Sequence, residues 1–204
     1  MDTFELKREQ SKLARKIVLQ NHANRIKTIG AATCVVVNDK LLASVVVCEY
    51  PSLKLKEKQT FLLNDPLPYK PGFSAYREMP AIIEAYNMLE EEPDVLLVQG
   101  NGILHPRKFG IASHVGLVLN IPTIGITSFL PMGNVEKGNI LLNNKICGFE
   151  IKTKEFAKPV YVSPGNKISL GSVLNLIPKT IQPPHKMPEP LHLAHKIAKK
   201  KAKE

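Results

Sequence analysis

The feature that most limits what this chain can fold into is a change of hydrophobic period before its middle. Three β-like apolar runs, residues 31–37, 41–49 and 53–63, come first, the first two joined by Asn38-Asp39-Lys40, a turn signal of hairpin type. From residue 75 the pattern alternates. A helical stretch over 75–92 is stopped by Pro93-Asp94, and the short run Val95-Leu96-Leu97-Val98 suits a strand buried on both faces. A second helix over 108–119 and a second buried strand over 123–127 follow. An antiparallel meander followed by helix, strand, helix, strand predicts an α/β fold: one mixed sheet, its parallel strands joined by right-handed crossovers, with helices on both faces. An amphipathic helix over about 5–20 precedes the meander. A hairpin over 140–153 turns around Asn143-Asn144-Lys145 and leads through Pro159-Val160-Tyr161-Val162 to a helix near 170–176. A proline-rich loop at 178–190 ends in a basic helix or tail at about 191–204. With no internal repeat and no long linker, residues 1–204 read as a single domain.

Charge narrows the partners. The 28 Lys+Arg outnumber the 18 Asp+Glu. The surplus lies at the ends: seven basic against three acidic residues in 1–29, six against two in 185–204. Such a distribution favours a polyanion, nucleic acid ahead of an anionic membrane, and competes with the plainer reading of a solvated tail, Lys199-Lys200-Lys201-Ala202-Lys203. Cys34, Cys48 and Cys147 have no zinc-like spacing and read as reduced thiols of a cytoplasmic protein. No apolar stretch approaches the ~20 residues of a membrane span, and the charged N-terminus does not suit a signal peptide.

Three stretches combine unusual backbone residues with polar ones. Pro68-Tyr69-Lys70-Pro71-Gly72 is a stiffened loop that can hold an aromatic ring outward, suited to stacking on bases or wedging between them; the alternative is a turn whose tyrosine packs on the core. Glu78, at the entrance to the helix ahead of Pro80, can face a ligand or metal, or be an ordinary N-terminal acid. Gln99-Gly100-Asn101-Gly102-Ile103-Leu104-His105-Pro106-Arg107-Lys108 follows the buried strand, at the end where ligands bind in α/β sheets. Its glycines permit close approach to the backbone, and His105, Arg107 and Lys108 supply donors suited to phosphate.

Together with Glu49-Tyr50-Pro51-Ser52, Tyr76-Arg77-Glu78, Phe109-Gly110-Ile111-Ala112-Ser113-His114, Ile121-Pro122-Thr123-Ile124-Gly125, Val162-Ser163-Pro164-Gly165 and Pro188-Glu189-Pro190, these stretches resemble the motifs of endonuclease V, in order along the chain. The resemblance implies an RNase H-like fold and an enzyme that recognises deaminated bases, chiefly inosine, in DNA or RNA and cuts nearby on the 3′ side with Mg²⁺. It makes Pro68, Tyr69, Pro71 and Gly72 the strand-separating wedge, with Tyr69 at its tip. Gly100, Asn101 and Gly102 become pocket lining for a flipped base, with His105 beside it.

The same resemblance exposes a deficit. The family holds metal with an Asp in the first strand, a Glu at the helix entrance and an Asp at the end of the buried strand, and only Glu78 matches. Counting back without gaps from Glu49 puts the first Asp position at Ala32; the third falls at Gln99. A family lysine corresponds to Ser128, whereas a late catalytic position is kept as His195. Glu78 and His195 are thus the vestigial catalytic pair and Glu78 the one doubtful metal ligand. No cofactor is expected to bind tightly, with Mg²⁺ or Mn²⁺ serving any activity that remains. The expectation is a binder of single-stranded or inosine-containing DNA or RNA with lost or severely impaired cleavage. The alternatives are an active nuclease with an atypical Mg/Mn site and a groove that now takes a protein partner.

Overall fold

The computed structural model describes residues 2–21 and 25–204. Helix α1 (Thr3–Ala14) is capped by Asp2, whose Oδ1 accepts the Phe4 N–H at 2.9 Å, and buries Leu6 and Gln10. Strands β1 (Thr28–Val37) and β2 (Lys40–Glu49) pair antiparallel from Thr28 opposite Glu49 to Val37 opposite Lys40. Their turn residues, Asn38 and Asp39, have φ of 47° and 64°, the left-handed pair a two-residue hairpin needs and these side chains tolerate. Strand β3 (Leu55–Leu63) completes the meander. Helix α2 (Ser74–Asn87) crosses over to β4 (Val95–Gln99), parallel to β1, and α3 (Ile111–Val118) crosses to β5 (Thr123–Thr127), parallel to β4. Then come β6 (Asn134–Glu136), β7 (Asn139–Leu142), β8 (Lys145–Ile151) and β9 (Val160–Asn166), followed by α4 (Leu170–Leu176), a 3-10 turn and α5 (Glu189–Lys201).

Through the described residues runs one mixed nine-stranded sheet, ordered β3-β2-β1-β4-β5-β9-β8-β7-β6. Strand alternation sends apolar side chains to two layers. On one face Ala32, Val45, Leu96 and Val98 pack under Ala75, Ile82 and Ile111 of α2 and α3. On the other, Ile29, Ala31, Leu97 and Ile124 pack under Val173 of α4 and Leu191 and Ala194 of α5.

Three helix boundaries and one short strand depart from the sequence reading. Helix α1 ends at Ala14 rather than near residue 20, and α2 ends at Asn87 rather than 92. Past α2, the N–H groups of Glu90 and Glu91 leave the helical path to donate to the Glu57 carboxylate, at 3.0 Å and 3.3 Å. These bonds lower the pKa of Glu57, against the desolvation that would raise it. Helix α3 starts at Ile111 rather than 108, because Lys108 adopts φ 52° and the Gly110 N–H turns back to the Gly102 carbonyl. Strand β6, three residues long, is too short to show a period.

Candidate nucleic-acid interface

The parallel strands β1, β4 and β5 all end at one edge of the sheet, and the candidate residues gather there. The wedge loop leaves from the end of β3, which runs the same way as β1. Pro68, Tyr69 and Pro71 are exposed, Tyr69 at 65%. What fixes this loop is the carbonyl of Gly72, which collects three donors: Arg107 Nη2 at 2.8 Å, His105 Nε2 at 3.2 Å and Gln10 Nε2 at 3.2 Å. The Gln10 Oε1 accepts from Arg107 Nε at 2.5 Å, and the guanidinium lies 4.7 Å over the Phe73 ring. Burial, helped by the Arg107 charge, pushes His105 down to about 4. The imidazole is therefore neutral at neutral pH, accepting the Arg107 N–H at Nδ1 (3.3 Å) and donating from Nε2. The Tyr76 hydroxyl ties α1 to α2 by donating to Glu9 at 2.9 Å. Arg107 and His105, expected at phosphate and pocket, latch the 68–72 loop through the Gly72 carbonyl; Lys108 is exposed.

The Gly-Asn-Gly loop is packed against its own protein. A β-carbon on Gly102 would lie 2.0 Å from the Pro164 carbonyl oxygen, so this glycine answers a close backbone approach rather than leaving room for a ligand. The Gly102 N–H donates to Ser163 Oγ at 3.0 Å, Ile103 N–H to the Pro164 carbonyl at 2.8 Å, and Gly100 N–H to the Ile126 carbonyl at 2.8 Å. Beside these, Asn101 Oδ1 is buried with no partner, an acceptor still to be satisfied.

Two of the three positions that the resemblance assigns to carboxylates, Ala32 and Gln99, lie on opposite faces of the sheet. Ala32 lies in the layer beneath α2, on the same side of β1 as Cys34, whose Sγ is 3.9 Å from the Glu78 carbonyl oxygen. Gln99 follows the alternation of Leu97 to the opposite face, where it accepts a hydrogen bond from the Thr33 hydroxyl. Helix α5 covers that face and carries His195, half-buried, its Nδ1 without a partner and its pKa lowered by burial and by Lys199. Glu78 is half-buried, and desolvation raises its carboxyl to about 7 against a smaller opposing effect of Arg77. Ser128 is exposed just past β5. Mg²⁺ requires several hard, charged oxygens. One carboxyl, an alanine and an amide oxygen already engaged by Thr33 do not supply them. Among the described residues, no group of three or more His, Cys, Asp or Glu could hold a metal ion.

Two contributors escaped the sequence reading. Gln10 stands four residues after Leu6 on the apolar stripe of α1, and a polar residue on that stripe was the available signal. Ser163 lies inside a motif noted for its proline and glycine, and only the tertiary contact shows its hydroxyl holding the pocket loop.

Comparison with known proteins gives a consistent result. A family model described as Endonuclease V matches residues 11–196. An endonuclease V from Dictyoglomus thermophilum is 36% identical over 201 residues, covering 95% of this chain and 88% of its own. The catalytic domain of human endonuclease V superposes with a TM-score of 0.88 at 26% identity, covering 98% of this chain and 95% of that one. A Ciona intestinalis endonuclease V, solved with a 24mer DNA containing an inosine followed by a ribo-adenosine, gives 0.87 at 26% identity over 98% and 97% of the two chains.

Proposed function

The chain belongs to the endonuclease V family, and from that premise we propose that it binds single-stranded or inosine-containing DNA or RNA with metal-dependent cleavage lost or severely impaired. One contrast carries the reading. The wedge is held by three side-chain hydrogen bonds to the Gly72 carbonyl and the pocket loop is tightly packed, whereas Ala32 and Gln99 stand at the positions the resemblance gives to metal-binding Asp residues, and Gln99 meets the uncharged Thr33. A protein that has stopped cutting but still grips its strand keeps the first set and loses the second. The inosine-containing DNA bound by the Ciona relative supports the ligand class.

The test is cleavage and gel-shift on the same end-labelled inosine-containing strands of DNA and RNA, with Mg²⁺ and then Mn²⁺, beside a Thr33→Asp/Gln99→Asp double variant, at the two positions of β1 and β4 whose side chains meet on one face of the sheet, checked for folding by its melting curve. Binding without cutting by the natural protein, with cutting gained in a folded double variant, is the expected result. The retained Glu78 and His195 favour one second reading, a slow nuclease with an atypical Mg/Mn site. Cutting by the natural protein that disappears in Glu78→Gln would establish that reading instead.

A further inference from the structure

Among the described residues the exposed phenylalanine and tyrosine rings are Phe4, Tyr69, Phe129 and Phe156, at 73%, 65%, 64% and 100%. The last three leave from the same edge of the sheet. Phe129 comes two residues after β5 ends there, in a turn closed by the Thr127 hydroxyl donating to its carbonyl at 2.6 Å. Strand β9 runs antiparallel to β5, with Thr127 opposite Tyr161, so the β8–β9 loop at 152–158 also crosses this edge. Phe156 stands at the tip of that loop with φ 60°, a region L side chains rarely adopt. Exposed lysines 152, 154 and 158 surround it, with Glu155 the one acid, around a recess of ≈ 680 Å³. In the strand order, β3 carries the wedge and β9 the Phe156 loop, five strand spacings or roughly 24 Å apart, with the pocket loop of β4 between them.

An aromatic ring that packs on nothing, set among cations, suits nucleobases: the ring offers a stacking face and the lysines meet phosphates. We propose that Phe129 and Phe156, with Lys152, Lys154 and Lys158, form a second stacking platform that holds unpaired nucleotides of the bound strand on the flank of the pocket opposite Tyr69. This deepens the nucleic-acid reading above and rests on it.

The test uses the full chain and fluorescence anisotropy with an end-labelled, inosine-containing single strand, in RNA and DNA versions, and a series in which each flanking nucleotide in turn is abasic. Phe156→Ala should weaken binding about tenfold, in the range typical of a lost base stack, while Phe156→Trp retains it. Melting should not change, since the ring is fully exposed. The Phe156→Ala deficit should vanish on strands abasic at one or two positions, different from those that abolish the effect of Tyr69→Ala. Natural protein that binds while Phe156→Ala binds equally well overturns the platform and leaves the nucleic-acid reading standing, as does a deficit unaffected by any abasic position. No binding of any strand by the natural protein overturns both.

Discussion

Glu78 is the one carboxylate found at the positions the family resemblance assigns to metal ligands, and its protonation gives a quantitative handle on the site. Burial makes the folded chain hold this proton more tightly than the unfolded one, with a pKa of about 7 against 4.5. Below 4.5 both states are protonated and the residue imposes no penalty. As pH rises, the unfolded chain ionises first and gains hydration that the folded carboxyl lacks, so stability falls until pH passes 7 and then levels. A displacement of this size corresponds to roughly 3 kcal/mol between about pH 4 and about pH 8.5. Glu78→Gln keeps the shape and removes the titration. It should therefore be close to the natural protein in stability at about pH 4 and more stable by roughly 2–3 kcal/mol at about pH 8.5, a shift of order 1 M in urea midpoint. Comparing the two proteins at each pH cancels groups common to both, including His105, whose pKa is displaced the other way. Urea unfolding at both pH values, with and without Mg²⁺, is the assay. A variant no more stable than the natural protein at high pH would refute the argument from desolvation. A natural protein whose high-pH penalty disappears on adding Mg²⁺ would instead overturn the reading that the site does not take the metal, because the carboxylate would then be held as a metal ligand.

Other consequences are sharp enough to check. Gln10→Leu removes the acceptor of Arg107 Nε and one donor to Gly72; it should cost about 1–3 kcal/mol in urea unfolding and abolish the contribution of Tyr69 to strand binding. Unchanged Tyr69 dependence in that variant would show that the latch does not position the wedge. Gly102→Ala must push the pocket loop away from the Pro164 carbonyl and should lower stability by about 1–3 kcal/mol together with affinity for the strand; an unaltered melting curve would contradict the packing described. Affinity for single strands should fall with salt at a log–log slope of about −0.7 per contacted phosphate, and a flat line would exclude a nucleic-acid ligand.

Most of the architecture was legible because it rests on local signals. The Asn38-Asp39 turn, the four-residue apolar run at Val95 and the alternation of helix and strand each follow from period and turn chemistry. They suffice to bring the wedge, the Gly-Asn-Gly loop and Ser128 to one edge. The roles of side chains within that edge were less accessible. Arg107 reads from the sequence as a phosphate donor alone, because nothing local reveals Gln10, 97 residues away, as the acceptor of its Nε. Counting along the chain placed Ala32 and Gln99 at paired ligand positions, but only the register of β1 on β4, Ala32 beside Val98, shows that they face opposite sides of the sheet.

The packing of Gly102 against Pro164 bears on time as well as on space. A pocket loop whose amides are tied to Ser163, Pro164 and Ile126 has no slack to reshape itself around an arriving ligand. Its amides should exchange with solvent as slowly as those of the sheet, and capture should be paced by the strand's own unstacking rather than by motion of the protein. Bases of different size would then enter at similar rates and differ in how long they stay, placing discrimination in residence time.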